Sequence, residues 1–549
     1  MKSQLSARCF AVLTALGLPS CTGQIGADLG NAAGNGVGNG VNNGNPNVSV
    51  DGDHTPACRD GASLGSARIS LLSEDEYVKV IRDAFGIDFV PEAPPDGTYT
   101  LDESAAVASA DVARKYYRAA DQVATKVKPC GEGPLAAACV ESFLRNKLPR
   151  VWKRPVTDAE ITGLMGVFNG GLKNGRAMSL VMRAALGSGS FLYRTEVGAD
   201  ASAASGPVTL TPYELANALS FSVLGSIADD ELWVKASDGT ITQPAVLSAE
   251  VDRLLALQPA RDAVTKRVSY YLNIEKVPAV EKSHATEFTP TLRSSLYQSA
   301  QLFINHLIWS GGSIRDLLTS TKVYANDEIA KVYGLQPVQG SALVELQMPP
   351  ERNAGILTHP ALLATTNPKD GGDDVVHRGL WIYHSLVCGE ALAEPPETAA
   401  AVQAGLMGTD RVKAELRDAR AECKVCHSYF DPFGFAGLNF DFIGRYRTID
   451  PQDNLPVVTQ STIAGVGPDM DGPVSSLKDV ADRLTKGRRL TDCAATNLAQ
   501  YTLRHNPELE NSCALRQIKD DFARSSSIVS LIKSVLTSPA FTTRDLSNQ

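Results

Sequence analysis

The chain has 549 residues, a formal charge of −9 and ten cysteines, with a mass of 58.4 kDa and a pI near 5.5. Hydrophobic residues at 43% and charged residues at 21% are ordinary for a soluble globular protein, and the length implies about three or four domains, or one large domain with modules. The acidic balance argues against nucleic acid as a partner, no run of about 18 apolar residues offers a permanent transmembrane helix, and ten cysteines are too few for a disulfide scaffold of this length.

Residues 1–20 have the layout of a secretory signal. Lys2 and Arg8 make a basic start, Cys9 to Leu18 is an apolar run, and Leu18-Pro19-Ser20 puts a small residue before the cut. Cys21 then stands where a bacterial lipoprotein carries its lipid, although Pro19 is unusual in such a box; plain secretion is the other outcome. From Thr22 to Val50, 15 of 29 residues are Gly or Asn and Asp28 alone is charged, so the segment reads as a tether that cannot fold on its own. The expected location is the cell envelope, as an outer-membrane lipoprotein or at the periplasm or cell surface, with the membrane reached through the lipid anchor.

The body reads as mainly α, with helical modules in series over 64–127, 128–200, 207–340, 350–455 and 456–549, after the tether of 21–60. Helical spacing covers Ser73–Phe85, Asp111–Val127, Glu141–Leu148, Thr157–Gly170 and Met178–Tyr193. Ser73 with Glu76 and Thr157 with Glu160 read as capping boxes, and Pro212 with Glu214 reads as a helix start after Thr211. Further helices are expected at Ala245–Leu257, Ala260–Leu272, Leu292–Trp309, Ser476–Thr485, Cys493–Leu503 and Ile528–Leu536. The charged stretch from Asp410 to Glu422 reads as one surface helix, and Arg447 to Asp471 carries few helix signals.

Chemistry concentrates in Cys423-Lys424-Val425-Cys426-His427. Two cysteines three apart on one helical turn can bond the two vinyl groups of a porphyrin, and the following histidine then ligates the iron: the pattern of covalent haem c attachment. Three alternatives stay open, namely a redox disulfide, a structural disulfide, and zinc held with Cys388 and His384 or His427.

The residues after the motif, Asp431-Pro432-Phe433-Gly434-Phe435, Asn439-Phe440-Asp441 and Gly444-Arg445-Tyr446-Arg447, carry a resemblance. The chain resembles the exported multi-module proteins of planctomycetes and myxobacteria, built from domains of unknown function around a cytochrome-c-like C-x-x-C-H segment. Elsewhere the resemblance rests on Glu76-Tyr77 through Gly86, Lys153-Arg154-Pro155-Val156-Thr157 with Glu160, Leu210 to Ala216, Gly355 to Pro360 and Arg378 to Cys388. Leu438, Asp373 to Val375 and Tyr501 to His505 depart from the family pattern without touching the pentapeptide. The resemblance implies the modular helical architecture and export; it implies no reaction.

For a second iron ligand the sequence offers Met470, read as a residue of a solvated turn, and His359, His377, His384 and His505. Arg378, Arg445 and Arg447 could pair with haem propionates. Cys130 with Cys139, and Cys493 with Cys513, have spacings that suit local disulfides, which leaves Cys58 and Cys388. No P-loop, G-x-S-x-G, H-E-x-x-H or EF-hand loop occurs, and Asp370 to Asp374 reads as a solvated loop. The expected function is electron transfer or haem-based oxidoreduction with a redox partner in the envelope. The alternative is a non-catalytic surface protein whose Cys423 and Cys426 form a disulfide.

Overall fold

The computed structural model describes residues 65–546 apart from 67, 92–109, 132–133, 174, 199–205, 284, 367–374, 391, 393–401, 403–404 and 504–511. The signal, Cys21, the tether, Cys58, the loop of Asp370 to Asp374 and His505 therefore lie outside the described residues.

The described chain is mainly α-helical, as its spacing predicts. The first body holds α1 (Glu74–Phe85), α2 (Ala110–Lys126), α3 (Ala137–Val151), α4 (Asp158–Leu172) and α5 (Ala177–Leu186). Both expected capping boxes form, and Gly86 closes α1 in the left-handed region at φ 70°. The Met178 helix stops earlier than its spacing suggests. A Cβ at Gly187 would lie 2.3 Å from the Tyr117 ring, and after a short helical turn at Gly189–Leu192 the chain extends into a strand.

The remainder carries α6 (Pro212–Val223), α7 (Asp230–Ser237), α8 (Pro244–Leu255), α9 (Gln258–Tyr271) and α10 (Pro290–Trp309). It continues through α11 (Val375–Ser385), α12 (Asp410–Asp418), α13 (Ala421–Phe435), α14 (Leu477–Lys486), α15 (Arg489–Leu503), α16 (Cys513–Ser525) and α17 (Ile528–Leu536). Thr211 and Glu214 form a third capping box ahead of α6. The Asp410–Glu422 stretch is two helices rather than one: α12 ends at Asp418, and Arg420 is extended at φ −89°, ψ 127° before α13 begins. Nor is α12 wholly a surface helix, since Ala414 and Arg417 are buried.

Two large apolar cores result among the described residues, with a small third one of Val375, Ala414, Phe435 and Leu438. One gathers Tyr77, Ile81, Tyr116, Phe168 and Phe191 from α1 to α5 and the turn after them, with Phe221 and Ile227 added. The other draws on residues from Leu210 to Phe541, so the central, motif-bearing and C-terminal parts share one interior.

Short strands tie the ends together. β1 (Gly65–Ser66) and β4 (Pro207–Thr209) flank β5 (Thr543–Asp545), while β2 (Arg68–Leu71) pairs antiparallel with β3 (Tyr193–Glu196). At this junction Glu196, 2% exposed, meets Arg68, Arg194 and Arg544, and Arg194 also pairs with Glu76. Burial alone would raise the Glu196 carboxyl, but Arg68, Arg544 and Arg194 hold it well below the carboxylate range. Lys153 sits beside them, donating to the carbonyls of Val151, Ser190 and Phe191, and burial followed by the charge of Arg194 pulls it down to about 7.

Candidate functional site

Cys423 and Cys426 lie on α13, three residues apart and thus about one turn from each other, and both thiols are free and half-buried. The disulfide between them, on which the non-catalytic alternative rests, is not formed. Between them Lys424 is exposed, as is Val425 at 68%. Three more large apolar side chains of this stretch are open to solvent: Met407, Val412 and Leu416.

His427 follows, with its side chain 18% exposed. Its Nδ1 lies 3.1 Å from Oδ1 of Asp431, one turn further along the helix. Asp431 is 1% exposed, and Arg417 donates to its other oxygen. The guanidinium reaches it because the chain turns at Ala419–Arg420, folding the end of α12 back over the first turns of α13. Arg417 also donates from Nε to Asp418 at 3.3 Å. Burial first, and then the nearby Asp431, push the Asp418 carboxyl up. The donor atoms of Asp418, His427 and Asp431 lie within 4.8 Å of one another. Arg417 bonds to both carboxylates, so the fold supplies the positive charge there itself. Among the described residues His427 Nε2 makes no hydrogen bond.

The helix is held against α11 by two glycines. A Cβ on Gly379 would lie 2.1 Å from the Phe430 carbonyl oxygen, and one on Gly434 would lie 2.0 Å from that of Val375. Only backbones without side chains at these points can approach so closely.

Several expected partners turn out to be structural. Arg378 is 2% exposed and donates to the carbonyls of Gly437 and Phe440, because a buried guanidinium must find acceptors. Arg445 pairs with Asp441 and Glu287, each at 2.6 Å. Asn439 and Arg447 close the turn between them, the Arg447 amide donating to the Asn439 carbonyl and the Asn439 side chain to the Arg447 carbonyl. Gly444, at φ 94°, passes over Pro360 where a Cβ would stand 2.7 Å from its Cα. Asn439-Phe440-Asp441 and Gly444-Arg445-Tyr446-Arg447 are thus the two sides of one locked turn.

His359 is 2% exposed, its Nδ1 accepting from the Ala361 amide and its Nε2 lying 3.2 Å from Ser299 Oγ. Both nitrogens are engaged, so it is a core histidine. His377 is half-buried on α11, and His384 is exposed. Met470 is 1% exposed and packs in the large core, not on a solvated turn. Asp471 makes the difference by accepting three backbone amides, from Gly465, Val466 and Gly467, which folds the loop inward.

Cys130 and Cys139 form a disulfide. Cys493 does not pair with Cys513 but with Cys388, 105 residues away. The reason is packing: α15 runs past the end of α11, where Cys493 Sγ also lies 3.4 Å from the Ser385 carbonyl. This removes Cys388 from any zinc site. Cys513 is itself disulfide-bonded, though not to Cys493.

Sequence reading missed Asp431 and Arg417 as members of the site. Asp431 carries a usable signal, the i, i+4 spacing from His427 on a helix. Arg417 carries none, because its approach depends on a helix break without Gly or Pro.

Among the described residues no helix is long and apolar enough to cross a membrane. No curated protein and no solved structure matches the chain. Four family models match it in series, each described as a protein of unknown function: DUF1595 over 139–196, DUF1592 over 210–335, DUF1588 over 353–450 and DUF1585 over 472–541. The chain is thus a series of these four domains of unknown function, with the thiol-bearing helix inside the third and the Cys388–Cys493 bridge joining the third to the fourth.

Proposed function

We propose that this is an exported c-type haem protein working in electron transfer or haem-based oxidoreduction in the cell envelope. The observation that carries the reading is the donor set on α13: two free thiols one turn apart, then a histidine whose Nδ1 is occupied and whose Nε2 is not. These residues fit the group. Cys423 and Cys426 each add a thiol across one vinyl group, sulfur to one carbon and hydrogen to the other, so attachment consumes no oxidant. His427 is the iron ligand through Nε2. Once bound, haem supplies one-electron exchange at its iron.

Export agrees with attachment outside the cytoplasm, and Cys21 holds the body to the membrane through lipid. A redox partner in the envelope completes the reading.

The test is expression of the full chain in a host able to attach haem. Absorption bands of haem c should stay with the denatured polypeptide, and Cys423→Ser with Cys426→Ser should abolish them. A wild-type chain without covalent haem under those conditions overturns the proposal. Carbon monoxide binding to the reduced protein marks an open iron position and oxidoreductase chemistry; no binding marks an electron carrier. Cys21→Ala should end lipid labelling, and retained labelling overturns the anchor.

A further inference from the structure

We propose that Asp431 and Arg417 are a positioning pair that fixes the ring of His427 and tunes its strength as a donor. The redox part of this inference rests on the haem reading above. The part concerning the ring belongs to the chain alone.

Three observations support it. Asp431 is 1% exposed, so its place is set by the interior and not by solvent. Its two oxygens are divided, Oδ1 toward His427 Nδ1 at 3.1 Å and Oδ2 toward Arg417. The histidine and the aspartate are one turn apart on a single helix, so their spacing is built into α13. A carboxylate oxygen accepts, so Nδ1 carries a proton, and in the neutral ring Nε2 then keeps its lone pair. Turning the ring over about Cβ–Cγ would break this bond and place the Cδ2 carbon against the buried carboxylate in place of a nitrogen donor.

The acceptor also matters electronically. A carboxylate draws the Nδ1 proton more strongly than a backbone carbonyl does, which makes Nε2 a better donor. A stronger donor favours the oxidised iron and lowers the potential. Arg417 works in the opposite direction by neutralising part of the carboxylate charge. Two substitutions should therefore move the potential in opposite senses, which a merely structural role would not do.

The experiment uses the full chain in two forms. In the haem-free form, nitrogen-15 spectra of labelled histidine, taken with His427 neutral, should show the Nδ1–H tautomer, and Asp431→Asn should change the tautomer distribution. In the haem-loaded form, Asp431→Asn should raise the midpoint potential by at least a tenfold change in the oxidised-to-reduced ratio, about 59 mV for one electron. Arg417→Met should lower it. Should Asp431→Asn fail to fold, the wild-type tautomer and the Arg417→Met shift decide. An Nε2–H tautomer in the wild type, or potentials unmoved by the substitutions, overturns the positioning role. A wild-type chain that shows the Nδ1–H tautomer but takes up no haem overturns the haem reading and supports the positioning of the ring.

Discussion

Buried charge is handled in two opposite ways in this molecule. Around Glu196, three guanidiniums close on one carboxylate while Arg194 reaches on to Glu76, and the result ties β2, β3 and β5 together. Around Asp431, one guanidinium and one imidazole share a carboxylate, and the cluster opens at its edge onto an imidazole nitrogen and two thiols without bonds among the described residues. The first arrangement spends its hydrogen-bonding capacity on the fold. The second leaves capacity over for something else, which is how a binding site differs from a structural knot.

Substitutions should separate the two. Glu196→Ala strands three arginines in the interior and should cost about 3–5 kcal/mol in urea unfolding; a loss under about 1 kcal/mol would mean the junction carries little stability. Acid should then pull the regions apart. Burial keeps His359 neutral down to about 3, whereas the unfolded chain takes up its proton near 6.5. The unfolded state thus binds more protons in that window, and stability falls as pH drops from 6.5 toward 3, by several kcal/mol in total. His359→Gln should flatten this dependence, while Glu196 stays ionised throughout it.

Removing the Cys388–Cys493 bridge by paired serines should cost about 2–4 kcal/mol in thermal unfolding, since the loop it closes is long. Gly379→Ala forces a Cβ onto the Phe430 carbonyl and should cost about 1–3 kcal/mol while loosening α13. Smallest of all, Cys423→Ser with Cys426→Ser should shift stability by no more than about 0.5 kcal/mol although it removes both free thiols. A large loss there would recast the thiols as structural and erase the contrast.

What could be read in the sequence was local. Ser73 and Thr157 each announce a helix through a glutamate three residues on, Pro212 and Glu214 announce the one after Thr211, and all three helices form with a capping box. The pentapeptide likewise lies on one helix, because its spacing needs only one turn to make sense. What could not be read depends on distant partners. Thr543–Asp545 has no strand character until Pro207–Thr209 lies beside it, and Cys493 has no reason to prefer Cys388 over Cys513 until α15 packs on α11. The break at Ala419–Arg420 falls between, local in extent but without a residue that marks it.

The junction has a consequence for the order in which the protein can be made. Glu196 and Arg544 are 348 residues apart, and β5 is the centre strand between β1 and β4. A chain that emerges from its N-terminal end delivers the Glu196 carboxylate long before the guanidinium that covers it. Until then the first body has an open sheet edge and an incompletely balanced buried charge, so it is complete only when the last helices have arrived. Folding of this kind, governed by contacts far apart in sequence, is slow. The early part therefore stays pliable until synthesis is nearly over, and the final strand is the latch that sets it.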